Sequence, residues 1–215
     1  TVSHEWSYLR LREDARAGGK RWRFLPRGKR RRRHRRLPGE NRRGQIIGRV
    51  SLHERPPEAS NRSRIGDWEV DTVVSRGKQT AVVTALERKS RLYLTRFVPD
   101  RRAATVSDAL MDLLAPYRKR HPVKTITADN GREFPEHARI AQHLDCAFYF
   151  ADPYASWQRG ANEHHNGLLR RFFPKGTDFA RIPETALQTP TTLINLWPRK
   201  NLKGLCPLDM IPYLS

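Results

Sequence analysis

The sequence predicts an α/β domain over residues 65–215, preceded by a basic arm. Two observations indicate the domain. Residues 68–98 contain three consecutive segments rich in β-branched and other apolar residues, and from residue 106 onwards apolar residues at helical spacing alternate with short apolar runs. A third observation sets the arm apart, because residues 10–43 combine dense positive charge with little periodic hydrophobicity.

The first half of the domain is predicted to be a meander of three strands. Trp68–Val74 and Thr80–Leu86 are apolar runs, and the turn residues Arg76-Gly77-Lys78 between them predict a hairpin. Arg91–Val98 alternates apolar and polar side chains, which is typical of a half-buried strand.

Helices and strands then alternate. Val106, Leu110, Leu113 and Leu114 lie at helical spacing, with Pro116 near the end of that segment. The remaining predicted elements are a strand at Val123–Ala128, a helix at Pro135–Leu144, a strand at Ala147–Ala151 and a helix from about Ala161 to Phe172, before Pro174. Three strands, a helix, a strand, a helix, a strand and a last helix is the order of a ribonuclease H-like fold, with a mixed sheet flanked by helices.

Charge is distributed unevenly along the 215 residues, whose formal net charge is +20. Residues 1–64 hold 20 Lys/Arg and 6 Asp/Glu, whereas residues 65–215 hold 22 and 16. We therefore interpret residues 1–64 as a DNA-binding arm and linker joined to a globular domain at 65–215, although a solvated charge run without a partner is the alternative. The densest run of cationic residues in this arm contains the predicted DNA-binding residues Arg30, Arg31, Arg32, Arg33, Arg35 and Arg36.

Composition argues against several protein classes. No apolar run approaches the roughly 20 residues of a membrane span, and the first residues lack the apolar core of a secretory signal. Cys146 and Cys206 lack the spacing of a zinc site, so we interpret both as reduced thiols and expect a cytoplasmic protein. Because the chain begins at Thr1, we expect that residues were removed or that a longer parent was cut.

Three carboxylates are the strongest functional signal. Asp71 interrupts the first strand, Asp129 ends the fourth, and Glu163 lies near the start of the last helix. In a mixed sheet the fourth strand can lie beside the first, so the three side chains could converge and bind two Mg²⁺ or Mn²⁺ ions, which prefer oxygen ligands. The alternative is that each acid is an ordinary turn, strand or surface residue.

Residues near these carboxylates indicate a nucleic-acid site. Asn166 and Arg170 follow Glu163 at i+3 and i+7, on the same helical face, and could contact the DNA backbone near the scissile phosphate. The alternative is that Asn166 and Arg170 lie on a polar helix face that is exposed to solvent and binds nothing. His164 and His165 diverge by about 100° on a helix, so both cannot face the same site and neither is assigned.

The motifs around the three acids resemble those of the IS30-family bacterial transposases, which belong to the DDE transposase and retroviral integrase superfamily. The similar segments are Gly66–Asp71, Asp129–Phe134, Pro153–Glu163, Asn166–Arg170 and Phe173–Asp178. The resemblance implies that Asp71, Asp129 and Glu163 form the catalytic triad of a phosphoryl transferase.

That resemblance also implies a reaction and its partners. The reaction would be Mg²⁺- or Mn²⁺-dependent cleavage at element ends and joining of the freed 3′-hydroxyl to target DNA. The partners would be those two DNAs and further copies of the chain, in a nucleoid-associated protein of the bacterial cytoplasm. Lys175, within the last motif, is included among the predicted DNA-binding residues.

Departures from the motifs leave two rival functions open. Asp67 and Val70 stand where the resembled proteins usually have His and Gly, and their usual N-terminal helix-turn-helix is not present in this sequence. One rival is a truncated, catalytically inactive DNA-binding remnant of a transposase. The other is a nuclease of the same fold, which would cut DNA without joining it.

Overall fold

A computed structural model describes residues 10–11, 13–14, 16–21, 46–77, 79–118, 121–131, 133–153 and 155–211. The predicted DNA-binding arginines of residues 30–36 lie outside this described part of the chain. The structure separates into two compact units, Thr1–Arg42 and Arg43–Ser215. In the first unit, the Ala17 N–H donates to the Glu13 carbonyl over 3.0 Å, as in a helical turn.

The second unit is built on a mixed five-stranded sheet. Its strands are β1 (Asp67–Val74), β2 (Ala81–Glu87), β3 (Tyr93–Val98), β4 (Thr125–Ala128) and β5 (Ala147–Phe150). They are arranged in the order β3-β2-β1-β4-β5. The first three pair antiparallel, whereas β4 pairs parallel to both β1 and β5. The predicted hairpin, and the position of the fourth strand beside the first, are therefore confirmed.

Helices cover both faces of the sheet. They are α1 (Pro57–Asn61), α2 (Ala103–Arg118), α3 (His137–Leu144), α4 (Gly160–Phe172) and α5 (Gln188–Leu196). One apolar core joins one face of the sheet to α2 and α3, and includes Leu110, Leu114 and Ile140. A second core joins the other face to α4 and α5 through Leu169 and Ile194. None of the helices in the described residues combines the length and apolar character that a membrane span needs.

Alternation along β1 decides which side chains meet α4. Successive strand residues point to opposite faces of a sheet. Trp68 and Val70 pack in the core with α2 and α3, whereas Val73 packs in the core with α4. Glu69 and Asp71 share the parity of Val73, so both point towards α4.

Two segments that the sequence analysis left without structure are folded. Val50 accepts a hydrogen bond from the Phe150 N–H (2.9 Å) at the edge strand β5, and Ala59 is buried, so part of the expected linker packs on the sheet. Helix α5 is not predicted by the sequence analysis, and it contains Pro190. A proline is tolerated in the first turn of a helix, where N–H groups have no intrahelical partner. From α5, Asn195 bonds both backbone groups of Tyr93 on edge strand β3.

A buried ion pair connects β1 to the start of α4. Glu69 and Arg88 are almost fully buried and form a salt bridge. The second oxygen of Glu69 accepts the backbone N–H of Asn162 in the first turn of α4 (3.1 Å). Arg88 also donates to the Ala59 carbonyl (2.8 Å), which fixes α1 on the sheet. One carboxylate therefore satisfies a buried cation and an otherwise unpaired helix N–H group.

We predict that Glu69→Ala destabilises the protein by about 3–5 kcal/mol, because it leaves the Arg88 guanidinium buried without its counter-ion. Denaturant unfolding measures this loss. Asp108→Ala is the matched control, since it breaks an exposed ion pair to Arg139 (2.6 Å) and should cost at most about 1 kcal/mol. Equal losses in the two variants would contradict the role of Glu69.

We also predict that His165 makes the protein sensitive to acid. It is buried on α4, its Nδ1–H donates to the Ala161 carbonyl (2.8 Å), and burial lowers its pKa to about 3. The unfolded chain, with a pKa near 6.5, takes up a proton that the folded chain excludes. This side chain should therefore remove about 2 kcal/mol of stability between pH 7 and pH 5.

The measurement is the free energy of unfolding at both pH values for the wild type and for His165→Asn. The asparagine amide can replace the Nδ1 donor but does not titrate. The wild type should lose more stability on acidification than the variant, whatever the stability of the variant at pH 7. An equal loss in both proteins would show that His165 is not held neutral.

Candidate active site

Asp71 is held in the middle of β1 by two hydrogen bonds. The Thr72 N–H donates to one of its carboxylate oxygens (2.8 Å), and the side-chain amide of Asn166 on α4 donates to the other (3.0 Å). The Asn166 oxygen in turn accepts from the Tyr93 hydroxyl (2.7 Å). Asp71 is thus oriented by both the strand that carries it and the helix that covers it.

Asp129 follows directly after β4, on the same face as Asp71. The parallel pairing places Glu69 beside Thr127, so extending that register by two residues places Asp71 beside Asp129. The Gly131 N–H donates to the Asp129 carboxylate (2.8 Å). A Cβ at Gly131 would lie 2.7 Å from that carboxylate and 2.4 Å from the Glu133 carboxylate, so any other residue would force both groups aside.

Arg159 joins the two aspartates. Its guanidinium lies 3.7 Å from an oxygen of Asp71 and 3.3 Å from an oxygen of Asp129, and it also donates to the Val70 carbonyl (3.2 Å). The arginine side chain is 8% exposed, whereas that of Asp129 is 41% exposed. The two carboxylates therefore converge on one buried cation, and Asp129 remains accessible to solvent.

Glu163 lies in the first turn of α4 and is exposed. Its charge acts on Asp71: burial raises the pKa of Asp71 to about 6, Arg159 opposes this rise, and the charges of Asp129 and Glu163 add to it. In the described part of the chain, no three carboxylate, imidazole or thiol side chains are close enough to hold a metal ion together. The arrangement places Arg159 between the two aspartates, with Glu163 nearby.

The structure also locates the other predicted DNA-binding residues. Both amide atoms of Asn166 are bonded within the protein, as described above. Arg170 donates to the Val74 carbonyl (2.7 Å), so its guanidinium is fixed against the end of β1. Lys175 is exposed in the turn that follows α4. DNA contact by these three residues stays a prediction.

Sequence reasoning missed three residues of this site. Arg159 and Glu69 lie within the similar motifs but have no predicted role, and Asn166 is predicted to contact DNA, whereas the structure shows that it bonds Asp71. The contacts that these residues make between β1 and the region of α4 join residues 88 to 95 positions apart, such as Arg159 with Asp71. The shared parity of Glu69 and Asp71 on one strand is the signal that could have indicated Glu69.

Comparison with known proteins shows which proteins the chain resembles. The integrase core domain family matches residues 62–156, a range that contains Asp71 and Asp129 and ends before Glu163. The chain is 39% identical over 206 residues to the transposase for insertion sequence element IS4351 of Bacteroides fragilis, covering 96% of this chain and 62% of that protein.

Two further relatives are also transposases. The chain is 40% identical over 186 residues to the transposase for insertion sequence element IS1086 of Cupriavidus metallidurans, with coverage of 83% of this chain and 53% of the relative. It is 36% identical over 182 residues to transposase InsI for insertion sequence element IS30C of Escherichia coli, with coverage of 84% and 46%. The chain therefore spans between 46% and 62% of the length of these relatives.

A solved structure shows the fold. The catalytic core domain of BIV integrase superposes with a TM-score of 0.50 and 21% sequence identity, covering 67% of this chain and 92% of that one. The predicted ribonuclease H-like fold is confirmed by this likeness and by the mixed sheet. The family model and the relatives confirm the resemblance predicted from the motifs: residues 62–156 match the integrase core domain, and the chain is similar to insertion-sequence transposases, that of IS30C among them.

Proposed function

We propose that this chain is the catalytic part of a transposase, which cuts DNA at the ends of an insertion element and joins the freed 3′-hydroxyl to target DNA. One observation carries the proposal: the carboxylates of Asp71 and Asp129 meet at a single guanidinium on an integrase core. Phosphoryl transfer of this kind depends on positioning and on stabilising charge rather than on a covalent enzyme intermediate.

Divalent metal ions fit the chemistry of this site. Asp71, Asp129 and Glu163 offer only carboxylate oxygens, the donors that Mg²⁺ and Mn²⁺ prefer, and these three residues would hold the ions. Two such ions, when bound, would activate the attacking water or 3′-hydroxyl and neutralise charge on the leaving oxygen. That a cation, Arg159, already lies between two of the donors supports the assignment.

The neighbouring residues would position these donors. Asn166 fixes one oxygen of Asp71, and Arg159 holds Asp71 and Asp129 towards each other while balancing their charge. Glu69 fixes the first turn of α4, and with it the backbone that carries Glu163. These contacts would keep the carboxylates in place while the DNA and the ions exchange.

The partners and location belong to the same proposal. Element ends and target DNA would be the substrates, two or more copies of the chain would act together, and the protein would work on the nucleoid in the cytoplasm. The cationic residues within residues 1–64 would bind phosphates outside the catalytic site. The predicted contacts of Asn166, Arg170 and Lys175 with the DNA backbone complete this assignment.

We predict that Asp129→Asn and Glu163→Gln each abolish DNA cleavage, because each removes one metal-binding charge while barely changing shape. Nicking of supercoiled plasmid in Mn²⁺ measures cleavage, and joining of a pre-cut element end to plasmid measures strand transfer. Asp112→Asn and Glu184→Gln are matched controls at exposed positions outside the site and should retain both activities.

The same assays separate the rival functions. A wild-type chain that binds DNA but never nicks it is an inactive remnant, and one that nicks without joining is a nuclease. Cleavage that survives in both Asp129→Asn and Glu163→Gln would show that the catalytic site has been assigned wrongly.

We predict that removal of residues 1–43 weakens DNA binding and flattens its dependence on salt. Each phosphate contact contributes about −0.9 to the slope of log affinity against log salt concentration, so losing several arginine contacts should reduce the slope by several units. Fluorescence anisotropy with a labelled duplex at 50–200 mM salt measures the slope. The cut lies close to the boundary between the two compact units, so the second unit should remain folded. An unchanged slope would show that the arm does not contact DNA.

A further inference from the structure

A second site lies on the flank of α4, formed by four separate parts of the second unit. It is a pocket of about 390 Å³, a volume typical of small-ligand sites. Its lining includes Arg62, Arg91, Trp157, His165 and Arg199. We refer to it as the α4 pocket.

The α4 pocket has an excess of positive charge. Three arginines line it, no carboxylate does, and none of the three forms a salt bridge within the described residues. Burial lowers the pKa of Arg91, and the neighbouring charge of Arg62 lowers it further. An anion bound here would relieve this repulsion.

Two of the three arginines lie at chain turns. Arg62 and Arg91 have φ angles of 60° and 63°, in the left-handed region. This conformation costs a residue with a Cβ roughly 1–2 kcal/mol. For Arg62 it is the left-handed cap that ends α1, and Arg91 lies in the turn between β2 and β3. Two separate turns thus present arginine side chains to one cavity.

Two buried nitrogen atoms at the pocket have no hydrogen-bond partner in the described part of the chain. They are Nε2 of His165 and Nε of Arg199. His165 is 4% exposed, and because its Nδ1–H donates to Ala161, its Nε2 is an acceptor. Unsatisfied buried polar atoms are uncommon in folded proteins, and a bound group can supply the missing partners. The pocket therefore offers an acceptor and a donor as well as charge.

Trp157 adds an aromatic surface to the pocket. Its side chain is 66% exposed, which is unusual for a residue of this size. An exposed indole beside cationic side chains is the combination that proteins use to bind single-stranded nucleic acid, where a base stacks and the backbone phosphate is neutralised. Bases within a duplex are already stacked on each other and do not present their faces.

The pocket is close to the catalytic residues but separate from them. At about 100° per residue, Glu163 lies roughly 160° around α4 from Ala161 and His165 and roughly 100° from His164, and only the glycine of the lining, Gly160, is nearer, at roughly 60°. A helix is about 10 Å across, which corresponds to roughly three nucleotide steps of 3.4 Å. A strand bound at the carboxylates could therefore reach the pocket within a few nucleotides.

We propose that the α4 pocket binds one unpaired nucleotide of the DNA strand a few positions from the scissile phosphate. The base stacks on Trp157, and Arg62, Arg91 and Arg199 neutralise the adjoining phosphate. This proposal rests on the proposed function, since it takes the substrate of the catalytic site to be DNA.

The test compares two labelled DNAs by fluorescence anisotropy in EDTA, so that no cleavage occurs. One is a blunt duplex, and the other is the same duplex with a short unpaired 3′ extension. We expect Trp157→Ala to weaken binding of the extended DNA about tenfold, as loss of one stacked base does, with less than twofold effect on the blunt duplex. Trp157→Phe should restore most of the affinity.

Arginine variants test the phosphate contacts. Arg62→Asn and Arg91→Asn remove the charge but keep a residue that tolerates the left-handed conformation. Lys203→Asn is the matched control, because Lys203 has a φ of 55°, is exposed and does not line the pocket. The two pocket variants should weaken binding of the extended DNA by at least fivefold more than the control. Thermal unfolding verifies that every variant is folded.

Abasic residues in the extension separate stacking from charge. With them, Trp157→Ala should have no effect, whereas Arg91→Asn should still weaken binding. Equal losses on blunt and extended DNA in Trp157→Ala, or no loss on either, would overturn the proposal.

The outcomes also separate this proposal from the proposed function. If the wild-type chain cuts and joins DNA while Trp157→Ala does not discriminate between the two DNAs, the pocket assignment alone fails. If the chain shows the extension-specific loss but never cuts DNA, the catalytic proposal fails and the nucleotide site stands.

Discussion

The structure depends on the way in which Glu69 holds a helix to a strand. Its carboxylate is buried between the Arg88 guanidinium and the Asn162 N–H, so the first turn of α4 cannot move without exposing an unpaired charge. Asp71 lies two residues further along the same strand face, and Glu163 lies one residue beyond Asn162. A single buried interaction therefore sets the relation between two of the three proposed catalytic residues.

Much of the fold could be predicted because its signals are local. The meander of β1 to β3, the alternation of helices and strands, and the order of a ribonuclease H-like domain all follow from periodicity and turn residues. The failures also have physical causes. Helix α5 contains Pro190 at a position where a proline costs little, and the segment around Ala59 is stabilised by burial against the body rather than by its own periodicity.

The site was predictable only in part. Carboxylates in apolar strands are conspicuous in a sequence, so Asp71 and Asp129 could be singled out, and the parallel pairing of β1 with β4 explains why they meet. The residues that balance and orient them could not be identified, because charge compensation depends on distance in space. Arg159 is 88 positions from Asp71, and nothing in its surrounding motif shows that its side chain turns inward.

The parallel pairing of β1 with β4 also bears on the order in which the molecule assembles. The strands β1, β2 and β3 are joined by short turns, whereas Thr125 of β4 pairs with Asp67, 58 residues earlier, after α2 has crossed the sheet. Closing the longer loop costs more entropy and slows folding. We expect the meander to form first and the two aspartates to come together late. Pulse-labelling hydrogen exchange during refolding would then show β2 amides protected before those of β4.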